Sequence, residues 1–230
     1  MILRPVKVAY VKIPKTGSTT MSAAIWRHYG VDPATGSDEV VNLNRRDRLP
    51  LIWHGWHVEY RRIAAHLGAE AADYRFFALV REPVSRLVSV YRWQRQKQPG
   101  HDGLSSFAHF VETLAERPRA LPAQARLHGR PQWSWICGED ATLPPIHLFL
   151  LEEFERRRPE IAALLGFDPD YETRNVSEKI AVAVDDATRA RIHALYPDDV
   201  RLHAAMRADP DRFAAGRGSL PVGDGTERGS

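Results

Sequence analysis

Three short apolar runs along the chain have the composition of β-strands. The first, residues 6–13, is rich in β-branched and aromatic residues and ends at Pro14, which has no N–H group to donate to a sheet. The runs at 75–80 and 146–151 are apolar almost throughout, as is typical of strands that are covered on both faces. We predict that these three runs form the centre of a parallel sheet.

Helical patterns occupy much of the chain between these runs. Helices are predicted over residues 18–29, 58–67, 84–97, 105–116 and 155–165. In the third helix, one buried face at the i, i+3, i+4, i+7 spacing is predicted from Val84, Leu87, Val88 and Tyr91. The stretches 98–104 and 117–145 are predicted to be loops. Strands that alternate with helices predict an α/β fold, in which a central parallel sheet is flanked by helices.

The length of 230 residues favours one domain of generous size, which we place at residues 1–215. With 43% apolar and 27% charged residues, the chain has the composition of an ordinary globular protein. Residues 216–230 are rich in Gly and Ser and contain almost no apolar side chains, so we predict a flexible C-terminal tail.

The charge of the chain favours a small anionic ligand over nucleic acid. The net charge is +3, and the 32 Lys and Arg residues are interspersed with 29 acidic residues, which leaves no basic stripe. The N-terminal residues contain no pattern of a signal peptide or a membrane span, so we expect a cytoplasmic protein. The single cysteine, Cys137, excludes an internal disulfide and a cysteine metal cluster, and we expect a partly buried thiol.

The segment PKTGSTT at 14–20 joins the first predicted strand to the first predicted helix. The start of a helix directs backbone N–H groups and positive potential to one point, which favours anion binding. Lys15 adds a positive charge, and Gly17 lets the backbone approach a ligand closely. Further hydrogen bonds can come from the hydroxyl groups of Thr16, Ser18, Thr19 and Thr20.

Two other interpretations of this loop compete with an anion site: an ordinary N-capped helix and a Walker A loop. An ordinary N-capped helix also favours hydroxyl residues, but it needs only one of them and gives Lys15 no role. A Walker A loop would carry its lysine directly after a glycine, whereas Lys15 lies two positions before Gly17. The pattern therefore favours an anion site that differs from that of nucleoside triphosphatases.

A second candidate anion site lies at 76–93. Arg81 follows the second predicted strand, and Ser85 and Ser89 share one side of the helix that begins near Pro83. The planar fork of an arginine and a serine hydroxyl can hold a phosphate together. Taken alone, Arg81 and Ser89 are explained better by a salt bridge at the strand end and an ordinary polar helix position.

Together, IPKTGSTT at 13–20 and LVREPVSRLVSVY at 79–91 resemble the two phosphate-binding signatures of the sulfotransferases that use 3′-phosphoadenosine-5′-phosphosulfate (PAPS). The nearest resemblance is to the heparan and chondroitin uronyl 2-O-sulfotransferases. It is strong over 8–26 and 76–93, moderate around 54–58 and thin after 130.

The resemblance implies a P-loop-like sulfotransferase fold and PAPS as cosubstrate, with no metal required. It implies a 5′-phosphosulfate site at Lys15, Thr16, Gly17, Ser18, Thr19 and Thr20, and a 3′-phosphate site at Arg81 and Ser89. Glu82 stands where the family usually has Asp, and we expect this change to leave the phosphate site intact.

The resemblance also implies a histidine base, because sulfuryl transfer needs a group that takes the proton of the acceptor. His57 is its predicted counterpart, with His54 as an auxiliary and Glu59 as the reserve base. The spacing of HGWHV exceeds that of the family by one residue, and His57 could instead cap or pack at a helix start. A His-x-x-His metal pair is possible by spacing, but no third ligand follows, so we predict no metal.

The acceptor side is less well defined by the sequence. Stacking on an acceptor, or contact with an acidic one, is predicted for Trp53, Trp56, Arg61 and Arg62, although such tryptophans more often belong to a core. Residues 130–140 are a candidate lid over the acceptor. A basic loop over the nucleotide is implied at Arg174, Ser177 and Lys179, where a solvated charged loop is the alternative.

These features predict a sulfotransferase that moves a sulfuryl group from PAPS to an acceptor hydroxyl by direct in-line transfer. The predicted acceptor is a glycan or a small molecule, with no nucleic acid partner. One alternative is an ATP-dependent kinase of the P-loop type. Another is a non-catalytic relative that keeps the nucleotide site but has lost the chemistry.

Overall fold

A mixed β-sheet forms the centre of the protein. The computed structural model describes residues 1–32, 37–41, 57–170, 181–218 and 220. Within these ranges the sheet has five strands in the order β3-β1-β2-β4-β5. The strands are β1 (Ile2–Leu3), β2 (Val8–Tyr10), β3 (Val40–Val41), β4 (Arg75–Val80) and β5 (Ile146–Leu150).

The centre of the sheet is parallel, as predicted. Strand β2 pairs with β4, so that Tyr10 lies opposite Phe77, and β4 pairs with β5, so that Phe77 lies opposite His147. Strand β1 is antiparallel to both β2 and β3, and this edge was not predicted because strands of two residues carry too little pattern. The first predicted strand is shorter than its apolar run, although the Val11 N–H continues the pairing by donating to the Phe77 carbonyl at 2.8 Å.

Helices surround the sheet. In the described ranges they are α1 (Ser18–His28), α2 (Tyr60–Leu67), α3 (Pro83–Lys97), α4 (Phe107–Glu116), α5 (Ala123–Gly129), α6 (Trp133–Ile136), α7 (Phe154–Leu165), α8 (Asp186–Leu195), α9 (Pro197–Ala208) and α10 (Pro210–Ala214). Short 3₁₀ turns occupy Gly68–Asp73, Asp102–Leu104, Pro118–Ala120 and Leu151–Glu153. The five predicted helices are all present, and with the parallel centre they confirm the α/β fold class.

The prediction of a loop over 117–145 was wrong, because α5 and α6 lie within it. Both helices are too short to show a clear period, at seven and four residues. Three of their apolar residues are nevertheless deeply buried: Ala125, Trp135 and Ile136 are at most 1% exposed. Tertiary packing, rather than local pattern, therefore selects helix in this stretch.

Apolar side chains cover both faces of the sheet. One face carries Ala9, Ala78 and Leu148 and packs against residues of α2, α6, α9 and α10. The other carries Tyr10 and Phe77, whose rings stack at 4.5 Å, and packs against α1 and α7. A third cluster joins α3, α4 and α8 beside the sheet. Each large buried side chain contributes about 1.5–3 kcal/mol to folding.

The topology brings two chain segments to one edge of the sheet. Because β2 and β4 are parallel neighbours, the loop after β2 and Arg81 after β4 emerge side by side.

Among the described residues, no helix is both long enough and apolar enough to cross a membrane.

Candidate functional site

The loop between β2 and α1 has an unusual backbone conformation. Lys15 has φ 65° and Gly17 has φ 78°, so two residues that are close in sequence lie in the left-handed region. This conformation costs a lysine on the order of 1 kcal/mol, and such strain is concentrated at functional sites. The first helical hydrogen bond of α1 runs from the Met21 N–H to the Gly17 carbonyl, which leaves the N–H groups of the first turn facing the helix start. The loop is therefore suited to holding an anion.

The hydroxyl groups of this loop do not cap the helix. The N-cap residue is the glycine, and α1 has no side-chain cap hydrogen bond. Ser18 and Thr20 are buried, whereas Thr19 is exposed. Thr16 donates its hydroxyl proton to the Ile13 carbonyl at 3.1 Å, so this group stabilises the loop itself. An ordinary N-capped helix thus does not describe the segment.

Lys15 lies in a partly desolvated position beside a tryptophan. Its Nζ is 5.4 Å from the centre of the Trp93 ring. Burial and the nearby charge of Arg81 lower the pKa of Lys15 to about 8. Sequence reasoning missed Trp93, although it lies four residues after Ser89 and so belongs to the same side of α3.

Arg81 connects the two candidate anion sites. Its Nη1 donates to the Lys15 carbonyl at 3.3 Å across 66 residues of sequence. Ser85 and Ser89 on α3 are half-buried. The structure therefore brings Lys15 and Arg81, two of the predicted site residues, into direct contact.

Glu82 caps the helix that follows Arg81. Its carboxylate accepts hydrogen bonds from the N–H groups of Val84 at 3.0 Å and Ser85 at 2.6 Å. Burial raises the pKa of Glu82, but these two N–H groups, together with the Ser85 hydroxyl and the charge of His203, lower it by more, so the net shift is downward. A glutamate thus satisfies the helix start where the resemblance led us to expect an aspartate.

His57 lies at the same end of β2 as the loop at 14–20, which we call the phosphate loop after its candidate ligand. Its Nδ1 is 2.7 Å from the carbonyl oxygen of Lys12. A carbonyl can only accept a hydrogen bond, so Nδ1 carries a proton and, in the neutral ring, Nε2 has a lone pair. The His57 ring lies at 5.5 Å from the ring of His128 and 6.0 Å from that of Trp135. This orientation gives His57 the form that a general base needs.

Glu59, the reserve base, is held in ion pairs. It is 7% exposed, and its carboxylate lies 2.9 Å from Arg130 Nη1 and 3.3 Å from Arg62 Nε. Burial raises its pKa, but the arginines and a hydrogen bond to its own backbone lower it by more. A carboxylate with a lowered pKa is a weak base, so the geometry favours His57. Of the two predicted acceptor arginines, Arg62 is thus paired, and Arg61 is exposed.

Several predicted site residues lie outside the described part of the chain. They are Trp53, His54, Trp56, Arg174, Ser177 and Lys179. The segment 130–140, predicted as a lid, is only partly accessible, because Gln132 is fully buried and Trp135 is 1% exposed. Cys137 is half-buried, as expected, and burial raises the pKa of its thiol.

Sequence reasoning also overlooked a buried lysine next to the site. Lys12 is 3% exposed, and its Nζ lies 5.5 Å from the centre of the Trp26 ring. Burial lowers its pKa to about 7. The available signal was a lysine between the apolar residues Val11 and Ile13 of the first predicted strand. In the described ranges, no three His, Cys, Asp or Glu residues are grouped as a metal site would require.

The fold thus places a strand-to-helix loop with the geometry of an anion site at this edge of the sheet. Residues 1–204 match the sequence model of the Sulfotransferase family, and the chain belongs to this family. Membership supports sulfuryl transfer as the activity. No curated protein matches the chain in sequence. A sulfotransferase from Alicyclobacillus acidocaldarius, known from its crystal structure, is similar at 17% identity and a TM-score of 0.48, over 90% of this chain and 98% of that one.

Proposed function

We propose that the protein is a PAPS-dependent O-sulfotransferase in which the phosphate loop and Arg81 hold the two phosphate ends of one nucleotide. The observation that carries this proposal is the contact between the Arg81 guanidinium and the Lys15 carbonyl. It brings two candidate anion sites close together, as a nucleotide with 3′ and 5′ phosphates requires.

The donors of the site suit such a nucleotide. The N–H groups at the start of α1, with Lys15 and the hydroxyls of Ser18 and Thr20, supply a cationic and hydrogen-bonding environment for the 5′ end. Arg81 supplies a planar fork for the 3′-phosphate, and Ser89 on the adjacent helix supplies a hydroxyl. The proposed contacts of Arg174, Ser177 and Lys179 with the nucleotide are additional to this set.

His57 acts in this proposal as the general base. Its Nε2 takes the proton of the acceptor hydroxyl while the acceptor oxygen forms a bond to sulfur. The bond from sulfur to the 5′-phosphate oxygen breaks, and that oxygen keeps the electron pair. Lys15 and the loop N–H groups stabilise the negative charge that develops there. The hydrogen bond to Lys12 keeps the ring of His57 in the required tautomer.

A carbohydrate hydroxyl is the proposed acceptor, on the strength of the resemblance to the uronyl 2-O-sulfotransferases. Trp53 and Trp56 would stack on it, and the exposed Arg61 would meet an acidic group. His54 is the auxiliary of His57 in this scheme. We place all of these residues in one domain, residues 1–215.

Titration calorimetry with two isomeric nucleotides tests the proposal. Adenosine 3′,5′-bisphosphate, the desulfated product of PAPS, and 5′-ADP have the same number of phosphates and differ in their positions. We expect the 3′,5′ isomer to bind at least tenfold more tightly, which corresponds to about 1.4 kcal/mol. Equal affinities would contradict the proposal, and tighter Mg²⁺-dependent binding of ATP would indicate a kinase.

Transfer of labelled sulfate from PAPS to a panel of sugars, alcohols and phenols tests the chemistry separately. Transfer to sugars alone would support the carbohydrate acceptor. Tight binding of the 3′,5′ isomer without transfer to any member of a broad panel would favour the non-catalytic relative.

A further inference from the structure

A buried polar network fastens the segment 128–133, far from the phosphate loop in sequence. At its centre are Asp199 on α9 and Arg86 on α3, both 0% exposed. Asp199 accepts hydrogen bonds from the backbone N–H groups of Gln132 at 2.7 Å and Trp133 at 2.8 Å. The Arg86 guanidinium lies 3.9 Å from the same carboxylate.

Carbonyl groups of the segment are held as well. Arg86 donates to the carbonyls of His128 at 2.7 Å and Arg130 at 2.8 Å. The hydroxyl of Tyr196, which precedes α9, donates to the Gly129 carbonyl at 2.5 Å. Three side chains from two distant parts of the chain thus fix the path of this segment. Such a network is costly when it is incomplete, because an unpaired buried polar group loses its hydration without compensation.

The product of this arrangement is the position of the Gln132 side chain. Its Oε1 accepts from the Arg81 N–H at 2.9 Å, and its Nε2 donates to the Arg81 carbonyl at 2.8 Å. The amide therefore occupies both backbone groups of Arg81, as a neighbouring strand would, directly after β4 ends at Val80. Gln132 is 0% exposed.

We infer that Gln132 is a positioning residue for the 3′-phosphate, an inference that rests on the proposed function. Arg81 lies beyond the last residue of its strand, so the sheet alone does not fix its peptide groups. Because Gln132 binds both groups, the backbone of Arg81 is held in one position. Its side chain therefore extends from a fixed point between the phosphate loop and α3. The arginine is thus oriented before the ligand arrives, which reduces the entropy lost on binding.

The variant Gln132→Met tests this inference, because methionine fills nearly the same volume and makes neither hydrogen bond. Calorimetry with adenosine 3′,5′-bisphosphate and 5′-ADP measures the preference for the 3′-phosphate as a ratio of Kd values. We expect this ratio to fall on the order of tenfold, while the affinity for 5′-ADP stays within about twofold. A purely structural role would weaken both ligands together.

Gln94→Met is the matched control. Gln94 is also a buried glutamine at 0% exposed, and neither of its amide atoms has a hydrogen-bond partner among the described residues. The same substitution should therefore leave the ratio unchanged. Gln132→Asn, which keeps an amide but is one methylene too short, is the second variant should the methionine protein fail to fold.

The outcomes separate the two proposals. A wild-type protein without preference for the 3′-phosphate would contradict the proposed function and with it this inference. A wild-type preference that survives in the folded Gln132 variant, or a loss of both affinities in parallel, would overturn the inference alone. A selective loss of the ratio in Gln132→Met or Gln132→Asn, with the ratio retained in Gln94→Met, would support it.

Discussion

The phosphate loop at 14–20 and the region around Arg81 meet at one edge of the sheet but are built in opposite ways. The loop places its charge, its left-handed residues and its helix start within seven consecutive residues. The region around Arg81, which we call the assembled region, joins Arg81, Gln132, Asp199 and His57 from separate elements. Arg81 and Gln132 are 51 residues apart, and Gln132 and Asp199 are 67 apart. The comparison indicates that one part of a site can be built from consecutive residues, while another part forms only when distant segments of the chain pack together.

The two halves should respond differently to substitution. In the loop, a single residue supplies charge or conformation directly, so its replacement acts on the bound anion itself. In the assembled region, most side chains act through a neighbour: Asp199 holds Gln132, and Gln132 holds Arg81. His57 is an exception in the assembled region. Its ring is oriented by the Lys12 carbonyl, but in the proposed mechanism its Nε2 takes the acceptor proton directly.

The largest effect is expected for Lys15→Met. In the proposed mechanism this cation stabilises the leaving phosphate, so its removal should lower turnover by about 10²–10³-fold. The measurement is the rate of labelled sulfate transfer from PAPS to whichever acceptor the panel identifies. Lys7→Met is a matched control, because Lys7 also has positive φ, at 50°, and also lies over an aromatic ring, that of Tyr74 at 5.1 Å. Near-normal turnover in Lys15→Met would remove the loop lysine from the mechanism.

A comparable or somewhat smaller effect is expected for His57→Asn in the assembled region. The asparagine amide can still donate to the Lys12 carbonyl from the position of Nδ1, but no base remains at the position of Nε2. Turnover should fall by about 10²-fold or more, as for the loss of a general base, while adenosine 3′,5′-bisphosphate binds normally. His193→Asn, on an exposed position of α8, is the control. Unchanged turnover in His57→Asn would transfer the role of base to another group.

The elements that could be predicted from the sequence are those whose pattern is complete within the element. Strands β4 and β5 are continuous apolar runs, and α3 carries a full apolar period from Val84 to Tyr91. Strands β1 and β3 have two residues each, and their pairing depends on partners that lie elsewhere in the chain. Helices α5 and α6 were missed for the same reason.

The candidate site divides along the same line. Lys15 and Gly17 were predicted to belong to an anion-binding loop, because a cation, a glycine and a helix start follow one another within a few residues. Arg81 alone was better explained as a strand-end salt bridge, and only the family resemblance, not a local pattern, connected it with Lys15. Gln132 lies within the segment 130–140, which was predicted as a lid over the acceptor. Its buried hydrogen bonds to Arg81 depend on Asp199, which no local pattern could associate with it.

A smaller effect is expected for Gly17→Ala, which tests the conformation of the loop rather than its charge. At φ 78°, an alanine costs about 1 kcal/mol of unfolding free energy, which thermal unfolding measures. Nucleotide affinity should fall as well, because relief of this strain moves the first N–H groups of α1. Gly30→Ala is the control: Gly30 has φ 60°, and an added Cβ would meet nothing within 4 Å. We expect both variants to lose a similar amount of stability, but only Gly17→Ala to lose nucleotide affinity. Unchanged affinity in Gly17→Ala would contradict this prediction.

The smallest expected effect is a fractional uptake of protons when the nucleotide binds. Burial and the charge of Arg81 lower the pKa of Lys15 to about 8, so at pH 8.5 this amine is largely neutral in the free protein. A bound phosphate favours the charged form and raises this pKa, so that binding takes up a proton fraction, whereas the phosphates are already ionised at this pH and release none. Calorimetry in two buffers with different ionisation enthalpies measures the uptake. Because Lys12 has a pKa of about 7 and could contribute, the decisive comparison is with Lys15→Met, in which the uptake should largely disappear. Equal uptake in both proteins would mean that the titrating group lies outside the phosphate loop, and the loop would then hold its anion through backbone N–H groups rather than through the Lys15 ammonium.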